Sequence, residues 1–233
     1  MSSFNPGLIL IIGALPVAIL PHALRRVYLL VLPLIGLFAV HNLSPGTVVT
    51  YETLGLTLEL LRVDRLAMVW GYIFNIAAFL AMLFAFHERD TMQQVSALIY
   101  VGAATAAVFA GDLVTLFVYW ELTAISSVFL IWAARTERAY KAGMRYLLIQ
   151  VGSGVILLAG ILLWYNDTGS IQFGHIGIET LAGKLILIAF GIKCAFPLLH
   201  NWLQDAYPEA TVTGTVVLSA FTTKLAVYAL ARG

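Results

Sequence analysis

The chain has 233 residues, 61% of them hydrophobic and 11% charged, where a soluble globular domain has about 45–50% and about 25%. So few charges cannot clothe a surface that meets water on every side. A formal net charge of +1 without any basic run leaves no electrostatic footprint for nucleic acid and no acidic tail.

From the amino terminus, Met1 to Asn5 lack the basic region of a secretory signal. The apolar run behind them carries Pro16 and no clear small-residue cleavage site, so it reads as a retained first span. Crossing a hydrocarbon core of roughly 30 Å takes about 20 predominantly apolar residues. Roughly eight segments qualify: Gly7 to Leu20, Val27 to Val40, Ala67 to Phe86, Gln93 to Ala110, Leu113 to Ala133, Ala142 to Tyr165, Gly183 to Leu203 and Val212 to Ala231. The first two are short. All are apolar on every face instead of alternating, which predicts helices and not barrel strands. The expected fold class is therefore all-α, a polytopic transmembrane helix bundle.

With the amino terminus outside, Arg25, Arg26, Arg89, Arg135, Arg138, Lys141 and Arg145 fall on the cytoplasmic side, and Arg62, Arg65, Lys184 and Arg232 on the far side. Two outer connections are long. Asn42 to Asp64 contains Thr47–Glu52 and Thr57–Leu61, which alternate enough for a hairpin, and Asn166 to Thr180 is rich in turn residues. Both are expected to cap the bundle. Cys194 is the single cysteine, so no internal disulfide can form.

Three ionisable residues lie near the middle of their segments: Glu121 in the fifth, Lys193 in the seventh and Lys224 in the eighth. Unpartnered, the three would oppose insertion by roughly 8–10 kcal/mol. A structural Glu–Lys pair would account for two of them. One carboxylate cannot neutralise two ammoniums at close range, however, and burial and a nearby carboxylate pull a lysine's proton affinity in opposite directions. A lysine poised between these influences can take up and release a proton.

Pro197 stands four residues after Lys193. It has no N–H for the Lys193 carbonyl, so the seventh helix is expected to kink or break there. Backbone irregular at membrane depth survives only inside protein or along water, and the break serves either packing or a polar path. His200 and Asp205 border the cytoplasmic end of this segment, as a proton link to water or as ordinary interfacial residues. Asp112, between the fourth and fifth segments, reads as a helix cap. Lys141 and Arg145, one turn apart, are positive anchors of the sixth segment or, facing the helix of Glu121, tune it. Gly152, Gly154 and Gly160 allow close helix approach. No Cys/His cluster with metal-ligand spacing, phosphate loop or nucleophile elbow is present, so no metal and no cofactor are expected and any redox chemistry resides in other chains.

Three stretches resemble one family. Gly111-Asp-Leu-Val-Thr-Leu-Phe-Val-Tyr-Trp-Glu121, Lys193-Cys-Ala-Phe-Pro-Leu-Leu-His200-Asn-Trp-Leu-Gln-Asp-Ala-Tyr-Pro-Glu-Ala210 and Lys224-Leu-Ala-Val-Tyr-Ala-Leu-Ala-Arg232 are similar to the antiporter-like membrane subunits shared by respiratory complex I (NADH–quinone oxidoreductase) and the Mrp-type multisubunit cation/proton antiporters. The resemblance implies that Glu121 pairs with Lys193 of the broken seventh helix and that Lys224 continues the charged path. In the expected mechanism His200 links this path to cytoplasmic water. Tyr207 and Pro208 are closer to the Mrp D-type subunit, although Gln204 and Thr211 stand where the family often has proline. Family members carry two inverted repeats. This chain resembles the first alone, with residues 1–66 as preceding spans and hairpin and residues 67–233 as the repeat. The expected function is proton translocation in a multisubunit monovalent cation/proton antiporter, or in a redox-driven NADH–quinone oxidoreductase-like pump. Expected partners are the other membrane subunits of such a complex, a separate chain supplying the second repeat, protons and sodium. The expected location is a bacterial inner (cell) membrane.

Overall fold

A computed structural model describes residues 4–53 and 55–233; Met1–Ser3, the start of the stretch read for a signal, lie outside them. The chain begins with α1 (Gly7–Gly13), followed by a 3-10 turn at Leu15–Ala18, and α2 (His22–His41). A hairpin of β1 (Val48–Thr53) and β2 (Leu56–Arg62) comes next. The remainder is helical: α3 (Arg65–Phe84), α4 (Thr91–Val108), α5 (Leu113–Trp132), α6 (Glu137–Thr168), α7 (Leu181–Cys194), α8 (Asn201–Ala206) and α9 (Val212–Arg232).

The helix starts are written in the sequence. Asp64, Asp90, Asp112, Thr136, Thr180 and Thr211 each precede a helix and accept a hydrogen bond from the N–H three residues on. Each cap satisfies a donor that the helix cannot, at about 1 kcal/mol apiece.

Among the described residues, α2, α3, α5, α6 and α9 are long and apolar enough to cross a membrane. The other three expected spans are helical but shorter or less apolar. The α1 segment is short, α7 has 14 residues, and α4 carries Gln93 and Gln94 in its first turn. Along α6, Leu148, Val155 and Leu162 are 69%, 61% and 62% exposed, an apolar stripe that matches a helix facing lipid.

The core forms around α4, which packs on α1, α3, α5 and α9. Its alanines and Gly102 let neighbouring backbones approach closely. A Cβ on Gly7 would lie 2.3 Å from the Gly102 carbonyl oxygen. Asn5 fastens this crossing, its amide donating to the carbonyls of Leu60 and Ala106 at 3.1 and 3.2 Å.

The expected hairpin is present, antiparallel from Val48↔Arg62 to Thr53↔Leu56, with an irregularity between Val49 and Thr50. It meets the segment after α6: Gln172 bridges Asp112, the Gln172 amide donates to Glu59 at 3.3 Å, and Arg62 donates to the Phe173 carbonyl. Both long connections thus cap one end of the bundle. Ion pairs group the basic residues into two ends. Arg135–Asp90, Arg138–Glu209 and Arg145–Asp205 lie at one end, and Arg232–Asp64 beside the hairpin at the other.

Candidate functional site

Lys193 occupies the last turn of α7 and is 1% exposed. The helix ends one residue later. Ala195 turns left-handed (φ 60°), the Phe196 N–H reaches back to the Gly191 carbonyl at 3.0 Å, and Leu198 is left-handed as well (φ 73°). Pro197 sits inside this interruption, as its missing N–H requires. The chain resumes as α8, and the Trp202 indole donates to the Ile192 carbonyl at 2.9 Å, so the two pieces stay in register across the gap. The ring of Phe196 folds over Gly191, where a Cβ would come within 2.8 Å of it. Only glycine allows that reversal without displacing the ring.

The broken end delivers the Lys193 ammonium to α5. Nζ donates to the Trp120 carbonyl and to the Thr123 hydroxyl, both at 2.9 Å, and lies 4.3 Å from the Trp120 ring centroid. The indole is held in turn by Ser153 at 3.3 Å and by the ring of Phe190. An ammonium over an indole face is stabilised by the ring quadrupole, most strongly when desolvated.

Glu121 is half-buried at mid-length of α5. Its carboxylate rests on Gly154 of α6, where a Cβ would fall 1.5 Å from Oε1. Among the described residues, Oε1 is buried without a hydrogen-bond partner. The Lys193 ammonium bonds to Trp120 and Thr123 instead, and no direct Glu121–Lys193 ion pair is formed. The reason is azimuthal: successive helical residues point about 100° apart, so Lys193 lands on the Trp120–Thr123 side while Glu121 turns toward α6. The two groups remain near enough to interact electrostatically.

The other expected residues lie farther out. Lys224 is exposed on α9 near Cys194 and donates to the Ser219 carbonyl at 2.8 Å. His200 is partly exposed at the start of α8. Arg145 does not face the helix of Glu121. It grips Asp205 with two hydrogen bonds of 2.5 and 2.7 Å, tying α6 to α8, and that guanidinium holds the Asp205 carboxyl below the usual carboxylate range. Lys141 pairs with Glu137 one turn away at 2.6 Å, on the exposed surface. Asp112 is the cap it was read as. It accepts from Thr115 N and Oγ1 at 2.7 and 2.6 Å, and also from Glu59 N at 2.7 Å.

Sequence reasoning missed Trp120, Thr123 and the seat at Gly154. A signal existed for Thr123, a hydroxyl within one turn of a mid-span glutamate. None pointed to Gly154, since a glycine that admits a backbone and one that admits a carboxylate look alike.

Comparison with known proteins bears on this geometry. Residues 110–233 match the family described as NADH:quinone oxidoreductase/Mrp antiporter, transmembrane. NAD(P)H-quinone oxidoreductase chain 4 of Synechococcus elongatus is 32% identical over 184 residues, covering 74% of this chain and 34% of the relative. The M subunit of the Escherichia coli NADH-quinone oxidoreductase is 27% identical over 193 residues, 74% of this chain and 38% of the relative. The D-type subunit of the Bacillus subtilis Na(+)/H(+) antiporter is 26% identical over 142 residues, 57% and 29%. This chain thus spans about a third of these relatives. The same fold occurs in respiratory complex I from Thermus thermophilus (TM-score 0.80, 19% identity, covering 97% of this chain and 52% of that one). It also occurs in the Mrp complex of a Dietzia species (TM-score 0.75, 24% identity, 99% and 48%). The glutamate-bearing helix, the broken helix with its buried lysine and the final helix all fall inside the matched region, and the chain belongs to the NADH:quinone oxidoreductase/Mrp antiporter family of membrane proteins.

Proposed function

We propose that this chain translocates protons as the first-repeat portion of a membrane subunit in a multisubunit monovalent cation/proton antiporter. On this reading α1 with its 3-10 turn, α4 and the α7–α8 pair complete eight crossings, and residues 67–233 form the translocating repeat. The observation that carries the reading is Lys193, buried at a helix break where, among the described residues, the Trp120 carbonyl and the Thr123 hydroxyl are its hydrogen-bond acceptors. A third N–H remains for a transient partner. Glu121, not bonded to it but electrostatically coupled, changes the proton affinity of Lys193 when its own charge changes. Lys224 then receives or passes the proton.

The same reading requires a protein neighbour. Lys224 and the backbone from Phe196 to Leu199 are exposed, and neither a charge nor irregular backbone is tolerated against lipid at mid-depth. A second repeat, on a separate chain or a continuation of this one, would cover that face.

The redox-driven alternative is favoured by one observation, the higher identity to the quinone oxidoreductase chain than to the Na(+)/H(+) antiporter relative. Purification in mild detergent with bound partners separates the two. Small hydrophobic antiporter subunits support the first, and flavin or iron–sulfur subunits the second. For either, Glu121→Gln in the assembled complex is expected to lower proton flux; unchanged flux at normal expression removes the mechanism.

A further inference from the structure

Two consecutive residues of α5 meet two consecutive residues of α6. The Trp120 indole donates to Ser153 Oγ at 3.3 Å, and the Glu121 carboxylate rests on Gly154. Side chains about 100° apart on one helix are thus both held by the neighbouring helix, which fixes the rotation of α5 about its own axis. The indole is fully buried and packs on Phe190, with ring centroids 5.2 Å apart. Phe190 precedes Lys193 by three positions on α7, so one face of that helix both clamps the ring and delivers the ammonium to it.

A buried ammonium needs something negative beside it. Both hydrogen-bond acceptors of Lys193 are neutral, and among the described residues no carboxylate bonds to its Nζ. The charged groups on the surrounding elements are few. Glu121 of α5 is close enough to be felt but is turned to α6. Lys224 of α9 is exposed near Cys194, and α6 presents Ser153 and Gly154 at this level, neither of them charged. Beyond the break, α8 follows the partly exposed His200, and its Asp205 is taken by Arg145. What lies against Nζ is the face of Trp120, its centroid 4.3 Å away.

We propose that Trp120 is a positioning residue for translocation, its indole face acting as the resting counter-group that keeps the Lys193 ammonium charged and apart from Glu121. The inference rests on the proton-translocation reading. A ring quadrupole attracts a cation, most strongly where water is excluded, and it has no lone pair at which to accept a proton. A carboxylate in that place would compete for the proton and lose its own charge on taking it. The indole holds the charge without being titrated, so a proton leaving Lys193 goes to another group and the seat is unchanged for the next. Ser153 and Phe190 keep the face turned toward Nζ.

The test measures proton flux against pH in the assembled complex, with mono-, di- and trifluorotryptophan placed at position 120 alone by nonsense suppression. Fluorine nearly preserves the size of the ring and its N–H while draining the negative face, so a purely structural role leaves the pH profile where it was. Only the charged form of the lysine loses support, and the alkaline limb of the profile is expected to move stepwise to lower pH, by roughly one unit over the series. A profile that does not move with fluorination overturns the inference. If Glu121→Gln, assayed beside it, still abolishes flux, the translocation reading stands; an unmoved series with wild-type flux in Glu121→Gln overturns both. Should a fluorinated complex fail to assemble, Trp120→Phe, which offers a weaker face, is read by the same shift.

Discussion

The carboxylate of Glu121 lies directly on the Cα of Gly154, so the one charged residue of α5 is accommodated where α6 lacks a side chain. Gly154→Ala would set a methyl 1.5 Å from Oε1. Expulsion of the carboxylate follows, and proton flux is expected to fall as in Glu121→Gln although no titratable group has changed. Gly152→Ala, whose Cβ would meet open space, is the matched control and keeps wild-type flux.

Thr123 supplies one of the two protein acceptors of Lys193. Thr123→Val keeps the shape and removes the oxygen, which costs on the order of 1.5–3 kcal/mol for a hydrogen bond to a charged donor. Flux with a displaced pH optimum is expected, because the charged form of the lysine is the one that loses support. Thr123→Ser retains the hydroxyl and restores the wild-type pH profile.

Asp205 and Arg145 hold α8 to α6, and the pair sets an acid limit on stability. The carboxyl is held low in the folded chain, so its stabilisation is present above the unfolded value of about 3.9 and is lost as pH falls through the lower folded value. The pair is half-exposed, so the effect is small. Thermal unfolding of the purified protein between pH 7 and pH 3 checks it: Asp205→Asn lowers the midpoint at pH 7 and leaves it unchanged at the acid end.

Asp112 caps α5 and also bonds the hairpin at Glu59. Asp112→Ala leaves two N–H groups and a hydroxyl without their acceptor, an expected loss of roughly 2 kcal/mol or more. Increased proteolysis within residues 48–62, read by mass spectrometry, is the accompanying sign.

Helices and their break were legible because they depend on local chemistry. Uniform apolarity marked the segments, and Pro197 marked the interruption after Lys193. The hairpin was legible from alternation, its observed strands beginning and ending within one residue of expectation. Partners were not. Glu121 and Lys193 are the two mid-span charges that any pattern would pair, yet the direction each takes around its helix is set by packing with α6 and Trp120, not by spacing along the chain. Arg145 finds Asp205 sixty positions away, a contact that exists only once α8 folds back. The central position of α4 was hidden as well, since the glutamines of its first turn and its many small residues name no partner along the chain.

Everything turns on whether the buried ammonium at the break conducts. Proton uptake by sealed vesicles holding the assembled complex with Lys193→Leu measures this most directly. The account predicts a fall of roughly tenfold or more with normal assembly, and wild-type uptake in that variant would contradict it.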